Sequence, residues 1–204
     1  MYRIAVFVSG RGSNLKSIYN YIKKENLRIE ISAVVSNKSD CPAITFSKDN
    51  GIPTFVVNQT SNDGNVTYSD LIKIFNEKEV ELIILAGYLK KIPEIFIDSF
   101  ENKIINIHPA LLPSFGGKGM YGINVHKAVF DSSAKVSGAT IHFVNSEYDK
   151  GKIIAQKCVD LNGVASPEEI AGRVLEIEHE LLPLVVRQFS ENKIEIANNR
   201  VLIK

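Results

Sequence analysis

Leu82-Ile83-Ile84-Leu85-Ala86 is an uninterrupted apolar run that follows the charged Glu81. It is too short for a stable helix, and it lacks the polar alternation of a strand with one face in water. A run of this kind fits a strand covered on both faces, as in a parallel sheet flanked by helices. Similar β-branched runs occur at Ile4 to Val8, Ile29 to Val35, Thr54 to Val57 and Ile104 to Ile107. Helix-compatible stretches separate them, from about Asn14 to Lys24, Pro42 to Asn50 and Tyr68 to Lys78. In the last of these, Leu71, Ile72, Ile74 and Phe75 suit one helical face. Alternation of this sort predicts an α/β fold with right-handed crossovers and a mostly parallel sheet.

The second half has a different rhythm. Val136 to Val144 and Ile153 to Val159 read as longer antiparallel strands joined by the Asn145 to Gly151 connection. Ser166 then offers an N-cap, with Pro167 at the first helical position and Glu169 three residues on. That helix is expected to reach Phe189, with a bend at Pro183, before a final hairpin of Ile194 to Ile196 and Val201 to Ile203. No linker-like tract interrupts the chain, so residues 1–204 are expected to form a single domain.

Hydrophobic residues make up 45% of the chain and the formal net charge is +1. A near-neutral balance gives no bulk electrostatic reason to expect a nucleic-acid or membrane partner. No apolar run reaches membrane-spanning length. Cys41 and Cys158 lack metal-ligand spacing, and two isolated thiols suit a reducing compartment. The first strand starts almost at once, without a signal-peptide pattern, so a cytoplasmic location is expected. His126 and His179 fall in helical stretches without a ligand partner at helical spacing, and no metal site is expected.

Three segments carry candidate chemistry. In Asn106-Ile107-His108-Pro109, strand periodicity points Asn106 and His108 the same way, and Pro109 ends the strand. An amide beside an imidazole can act on a carbonyl; it can also merely satisfy loop backbone. Ser9-Gly10-Arg11-Gly12-Ser13-Asn14-Leu15 places a glycine turn at a helix N-terminus, where backbone amides attract anions. Leu15 stands at the third glycine position of a dinucleotide fingerprint, so a small phosphate site and a plain helix cap remain equal readings. His142 alternates with Ile141 and Phe143 and is expected on a partly solvated hairpin face. Asp149 lies in the hairpin loop and would raise the pKa of His108 if the fold brought the two together. Between Gly116 and Gly122, four glycines follow closely on His108 and suit a substrate-contact loop.

These segments together resemble the phosphoribosylglycinamide formyltransferase family. The resemblance rests on Ser9 to Leu15, Val35-Ser36-Asn37-Lys38, Leu85-Ala86-Gly87-Tyr88-Leu89, Asn106 to Pro113, His142-Phe143-Val144 with Asp149, and Glu178-His179 before Leu182-Pro183. It implies a Rossmann-like three-layer fold, with antiparallel strands in the C-terminal part. It also implies transfer of a formyl group from 10-formyltetrahydrofolate to the glycyl amine of glycinamide ribonucleotide, in purine synthesis. By the same resemblance, Asn106, His108 and Asp149 match the catalytic trio. Gly12, Ser13, Asn14 and Glu178 match ribonucleotide contacts. Leu89, Lys90, Lys91 and Ile92, with Asn106 and the loop Asn145, Ser146, Glu147, Tyr148 and Asp149, match the folate side. The implied reaction needs no metal, and small molecules are the expected partners; a homodimer is left open.

On this reading, protonated His108 and Asn106 hold the oxyanion while Asp149 keeps the imidazole cationic. The chain departs from the family pattern at Phe115-Gly116-Gly117, where many relatives have a proline-glycine pair, and is longer around Lys118 to Asn124. Asp63-Gly64-Asn65 offers no basic residue, Lys90 replaces a common arginine, and Ser146 replaces an acidic residue. Two alternatives are a formyltetrahydrofolate hydrolase-like enzyme and a non-catalytic nucleotide-binding module. Related hydrolases carry an N-terminal regulatory region and related tRNA formyltransferases an RNA-binding domain, so the chain's length is expected to count against both. The binding module would leave Asn106, His108 and Asp149 unexplained.

Overall fold

The computed structural model describes residues 1–58 and 64–204; Asp63, in the segment read above as lacking a basic group, lies outside the described residues. The elements are β1 (Tyr2–Val8), α1 (Ser13–Lys24), β2 (Ile29–Ser36), α2 (Pro42–Asp49), β3 (Thr54–Val56), α3 (Tyr68–Glu77), β4 (Leu82–Leu85) and α4 (Glu94–Ser99). There follow β5 (Ile104–His108), α5 (Ile123–Asp131), β6 (Val136–Phe143), β7 (Ile153–Asp160), α6 (Pro167–Ser190), β8 (Ile194–Ala197) and β9 (Arg200–Ile203). The seven-stranded sheet has the order β3-β2-β1-β4-β5-β6-β7, and β8 pairs with β9 separately. The chain forms two compact units, Met1–Ile105 and Asn106–Lys204.

In the first unit, β1 is parallel to both β2 and β4, and β2 is parallel to β3. All four residues of β4 are buried, as its apolar run predicts. Phe7 on β1 meets Phe75 of α3 and Phe96 of α4 at ring-centroid distances of 6.1 and 5.8 Å, which fixes both helices against the sheet. α3 starts with a reciprocal capping box between Thr67 and Asp70. α4 is a helix without a signal in the amino-acid sequence, because its six residues after Pro93 are too few to show a helical period.

In the second unit, β6 and β7 form the expected antiparallel pair, from Val136 opposite Asp160 to His142 opposite Ile153. The Ser166 hydroxyl accepts from the Glu169 amide at the start of α6, and the helix continues through Pro183. Val129, Leu161, Ile170 and Val174 form a buried cluster there, with Phe115 packed against it. Among the described residues, no helix is long and apolar enough to cross a membrane.

Candidate active site

The end of β5 carries the chemistry-bearing pair. Ile105 and Ile107 are buried on one side of the strand; Asn106 and His108 leave it on the other. His108 is 3% exposed. Its Nε2 lies 2.8 Å from the Phe115 carbonyl oxygen, and a carbonyl only accepts, so Nε2 carries the proton. Its Nδ1 faces Asp149 Oδ2 at 3.7 Å. The fold therefore brings together the imidazole and the carboxylate, 41 positions apart in the chain.

His142 belongs to the same cluster, which corrects its expected place on a partly solvated face. It is 2% exposed, because β6 is covered on both sides from Ser137 to Phe143. Its Nδ1 donates to the Phe143 carbonyl over 2.8 Å, so in the neutral ring Nε2 is the acceptor. Asn106 Nδ2 donates to that nitrogen at 3.1 Å, and Asp149 Oδ1 lies 3.6 Å from it. His142 thereby fixes the direction of the Asn106 amide and leaves its second N–H for another acceptor. The missed signal was Gly138-Ala139-Thr140-Ile141 ahead of His142, whose small and apolar residues suit a doubly covered strand.

Asp149 is held by the glycine loop as well. The Gly117 amide donates to Asp149 Oδ2 over 2.8 Å. A Cβ on Gly116 would stand 2.5 Å from Leu112 Cδ2 and 3.2 Å from Asp149 Cβ, so only glycine lets the loop approach so closely. Phe115 and Asp149 both adopt positive φ, near +55°, a conformation that non-glycine residues keep only when their surroundings enforce it. Phe115 is enforced by its side chain in the hydrophobic cluster, which aims its carbonyl at His108.

Burial and pairing compete over the protons. Burial lowers the His108 pKa, the nearby Asp149 charge and the Phe115 carbonyl raise it, and His142 lowers it; the outcome is below the ordinary histidine value. Asp149 does raise the His108 pKa, as expected of a neighbouring carboxylate, but desolvation of a nearly enclosed ring acts against it more strongly than an attraction across 3.7 Å. For Asp149, burial raises the pKa, but His142, the Gly117 amide and His108 outweigh it and hold the carboxyl below its ordinary range. In the free protein these influences favour an ionised Asp149 beside a neutral His108.

Thr140, fully buried, ties down the chain leaving β5. Its hydroxyl donates to the Ala110 carbonyl at 2.6 Å and accepts from the Leu112 amide at 3.0 Å. Gln156 Nε2 bridges the Leu112 carbonyl and Thr140 Oγ1 at 2.8 and 3.0 Å. Of the expected folate loop in this unit, Asn145, Ser146, Glu147 and Tyr148 are exposed, and Asn145 Oδ1 accepts from the Glu147 amide. Glu178 is buried on α6.

In the first unit, Gly12 precedes α1 in a left-handed conformation with φ of 69°. No side chain caps the helix, and its first turn holds no acidic residue, so its N-terminal amides keep a positive potential. Ser13 and Asn14 form that first turn. Leu89, Lys90 and Lys91 are exposed on the segment after β4, whereas Ile92 is buried. Among the described residues, no cluster of three or more His, Cys, Asp or Glu could hold a metal ion.

The formyl transferase sequence profile matches residues 2–186. Phosphoribosylglycinamide formyltransferase, chloroplastic, of Arabidopsis thaliana is 45% identical over 95% of this chain. The chain spans 62% to 67% of the length of such plant relatives. Phosphoribosylglycinamide formyltransferase of Haemophilus influenzae is 34% identical, with 98% of this chain and 92% of that protein covered. The crystal structure of the Anaplasma phagocytophilum phosphoribosylglycinamide formyltransferase superposes with a TM-score of 0.88 at 34% identity, covering 99% of this chain and 93% of that one. A profile that runs through both units, and relatives alike over nearly their whole length, show that this chain belongs to the formyl transferase family.

Proposed function

We propose that the protein is a phosphoribosylglycinamide formyltransferase of purine biosynthesis, transferring formyl from 10-formyltetrahydrofolate to the glycyl amine of glycinamide ribonucleotide. The observation that carries this reading is the Asn106–His108–His142–Asp149 cluster, built around two buried histidines, in a chain so similar to proteins of that name. A family profile over residues 2–186, which crosses the boundary between the compact units, supports reading residues 1–204 as one formyltransferase domain.

In the reaction, the glycyl nitrogen bonds to the formyl carbon and the carbonyl π electrons move to oxygen. Asn106, with one N–H on His142, donates the other to that oxyanion. The attacking nitrogen must then lose a proton, and N10 of the folate must gain one as its bond to carbon breaks. Neutral His108 takes the first proton at Nδ1, beside Asp149, whose charge stabilises the imidazolium. That cation steadies the oxyanion while it exists and hands its proton on to the leaving N10. Gly12, Ser13 and Asn14 bind the ribonucleotide phosphate at the N-terminus of α1, and Glu178 contacts the ribonucleotide. Leu89 to Ile92, Asn106 and the Asn145 to Asp149 loop bind the folate. The unpaired Cys41 and Cys158 support a cytoplasmic location.

Incubation with both substrates is expected to yield formylated ribonucleotide and tetrahydrofolate in equal amounts. Release of formate at the same rate without the acceptor would identify a hydrolase instead.

A further inference from the structure

The motif Val35-Ser36-Asn37-Lys38 has no part in the chemistry above, nor does Ser9, which is 4% exposed. The structure joins them. The Ser9 hydroxyl donates to Asn37 Oδ1 at 2.6 Å and accepts from the Leu89 amide at 3.0 Å. Both directions are fixed, because a backbone N–H can only donate and an amide oxygen can only accept. Ser9 immediately precedes the anion-binding turn, and Leu89 opens the exposed segment after β4. One hydroxyl therefore links the loops that follow β1, β2 and β4.

Neighbouring contacts stiffen the link. Phe7, two residues before Ser9, meets the Tyr88 ring edge-on at 5.3 Å, and the Tyr88 hydroxyl lies 2.8 Å from that of Tyr68. On the other side of the turn, the Ala43 amide donates to the Gly10 carbonyl over 3.2 Å. A Cβ on Gly12 would stand 2.6 Å from Ala43 Cβ, so the turn rests directly on α2. Leu89 itself is 52% exposed: its backbone is anchored while its side chain is open to a ligand.

We infer that Ser9, braced by Asn37, is a positioning residue that couples the phosphate-binding turn to the Leu89–Ile92 folate segment, so that occupation of either favours occupation of the other. This rests on the formyl-transfer reading. A ligand that orders the turn would fix Ser9, and Ser9 would then hold the Leu89 backbone in its bound position; linkage makes the effect reciprocal.

The experiment is calorimetric titration of glycinamide ribonucleotide, with and without a saturating folate analogue that has carbon in place of N10 and cannot transfer. The wild-type protein is expected to bind the ribonucleotide about fivefold or more tightly with the analogue present. Ser9→Ala should bring that ratio to about one and raise both KM values roughly tenfold, while kcat changes less than about threefold. Asn37→Ala removes only the brace, should give an intermediate ratio, and decides the matter if Ser9→Ala does not fold. A wild-type ratio near one, or an unchanged ratio in the folded variants, would overturn the inference. Absence of ribonucleotide binding and of formyl transfer in the wild-type protein would instead sink the functional reading beneath it.

Discussion

The two proposed working regions of this chain are built from different materials. Around His108 the second unit uses side chains: an amide, two imidazoles and a carboxylate, enclosed and locked by carbonyls and by the Gly117 amide. Around Gly12 the first unit uses backbone, with a left-handed glycine and the uncapped N-terminus of α1. Backbone amides hold a constant dipole at any pH, which suits an anion that only has to be held. Moving protons requires groups whose charge can change, and burial sets how readily they change it. The backbone differs accordingly. The turn places its positive φ on glycine, whereas the reactive cluster imposes it on Phe115 and Asp149. Strain is borne where side-chain packing and hydrogen bonds can hold it.

The sharpest way to break this contrast is to remove a reactive side chain and examine binding separately. Asn106→Ala should lower kcat by about 10²–10³, the usual effect of losing an oxyanion donor, with ribonucleotide affinity changed less than about twofold. Equal losses in kcat and affinity, seen in steady-state kinetics and calorimetry, would mean that the two regions do not divide the work.

The next effect is on pH. With neutral His108 as the competent form, kcat/KM should fall about tenfold per pH unit on the acid side of its lowered pKa, and level off above it. A rate that instead rises on acidification through that range would restore a standing imidazolium. Stability should move the same way. Below about pH 6.5 the unfolded chain takes up protons that the buried His108 and His126 resist, so unfolding becomes easier as pH falls toward their lowered folded values. Asp149, depressed in the folded state, adds stability that is present above its unfolded pKa and lost as pH falls through its folded one. Denaturant midpoints between pH 7 and pH 5 test the sum, and His108→Asn should flatten part of the slope.

Gly12→Ala probes the backbone region. A methyl group there meets Ala43 and a positive φ, a strain of about 1–3 kcal/mol, and should weaken ribonucleotide binding roughly tenfold with kcat at saturation nearly kept. The smallest effect on rate is expected from Thr140→Val. It removes the hydroxyl between Ala110 and Leu112, should destabilise the fold by about 1–3 kcal/mol, and should reduce kcat only a few-fold. A thermal melt beside a turnover assay separates the two quantities.

Local signals were readable where local physics decides the outcome. The apolar run of β4, the Ser166 cap of α6 and the shared direction of Asn106 and His108 each depend on a few adjacent residues. α4 was missed because six residues carry too little periodicity. His142 was misplaced because its alternation with Ile141 and Phe143 does not reveal that both faces of β6 are covered. The role of Ser9 was invisible for another reason: its partners, Asn37 and Leu89, lie 28 and 80 positions away.

Periodicity and caps act over a few residues, and so the order of amino acids alone already marks the strand and helix rhythm, the glycine turn before α1 and the Asn-x-His pair at a strand end. That Asp149 and His142 stand beside that pair, that Phe115 turns its carbonyl onto His108, and that burial draws the imidazole's pKa down emerge only from the folded chain. The physical reason is that a proton's position depends on the balance between lost solvation and charges contributed from distant parts of the chain, a balance that exists only once the chain has closed around it.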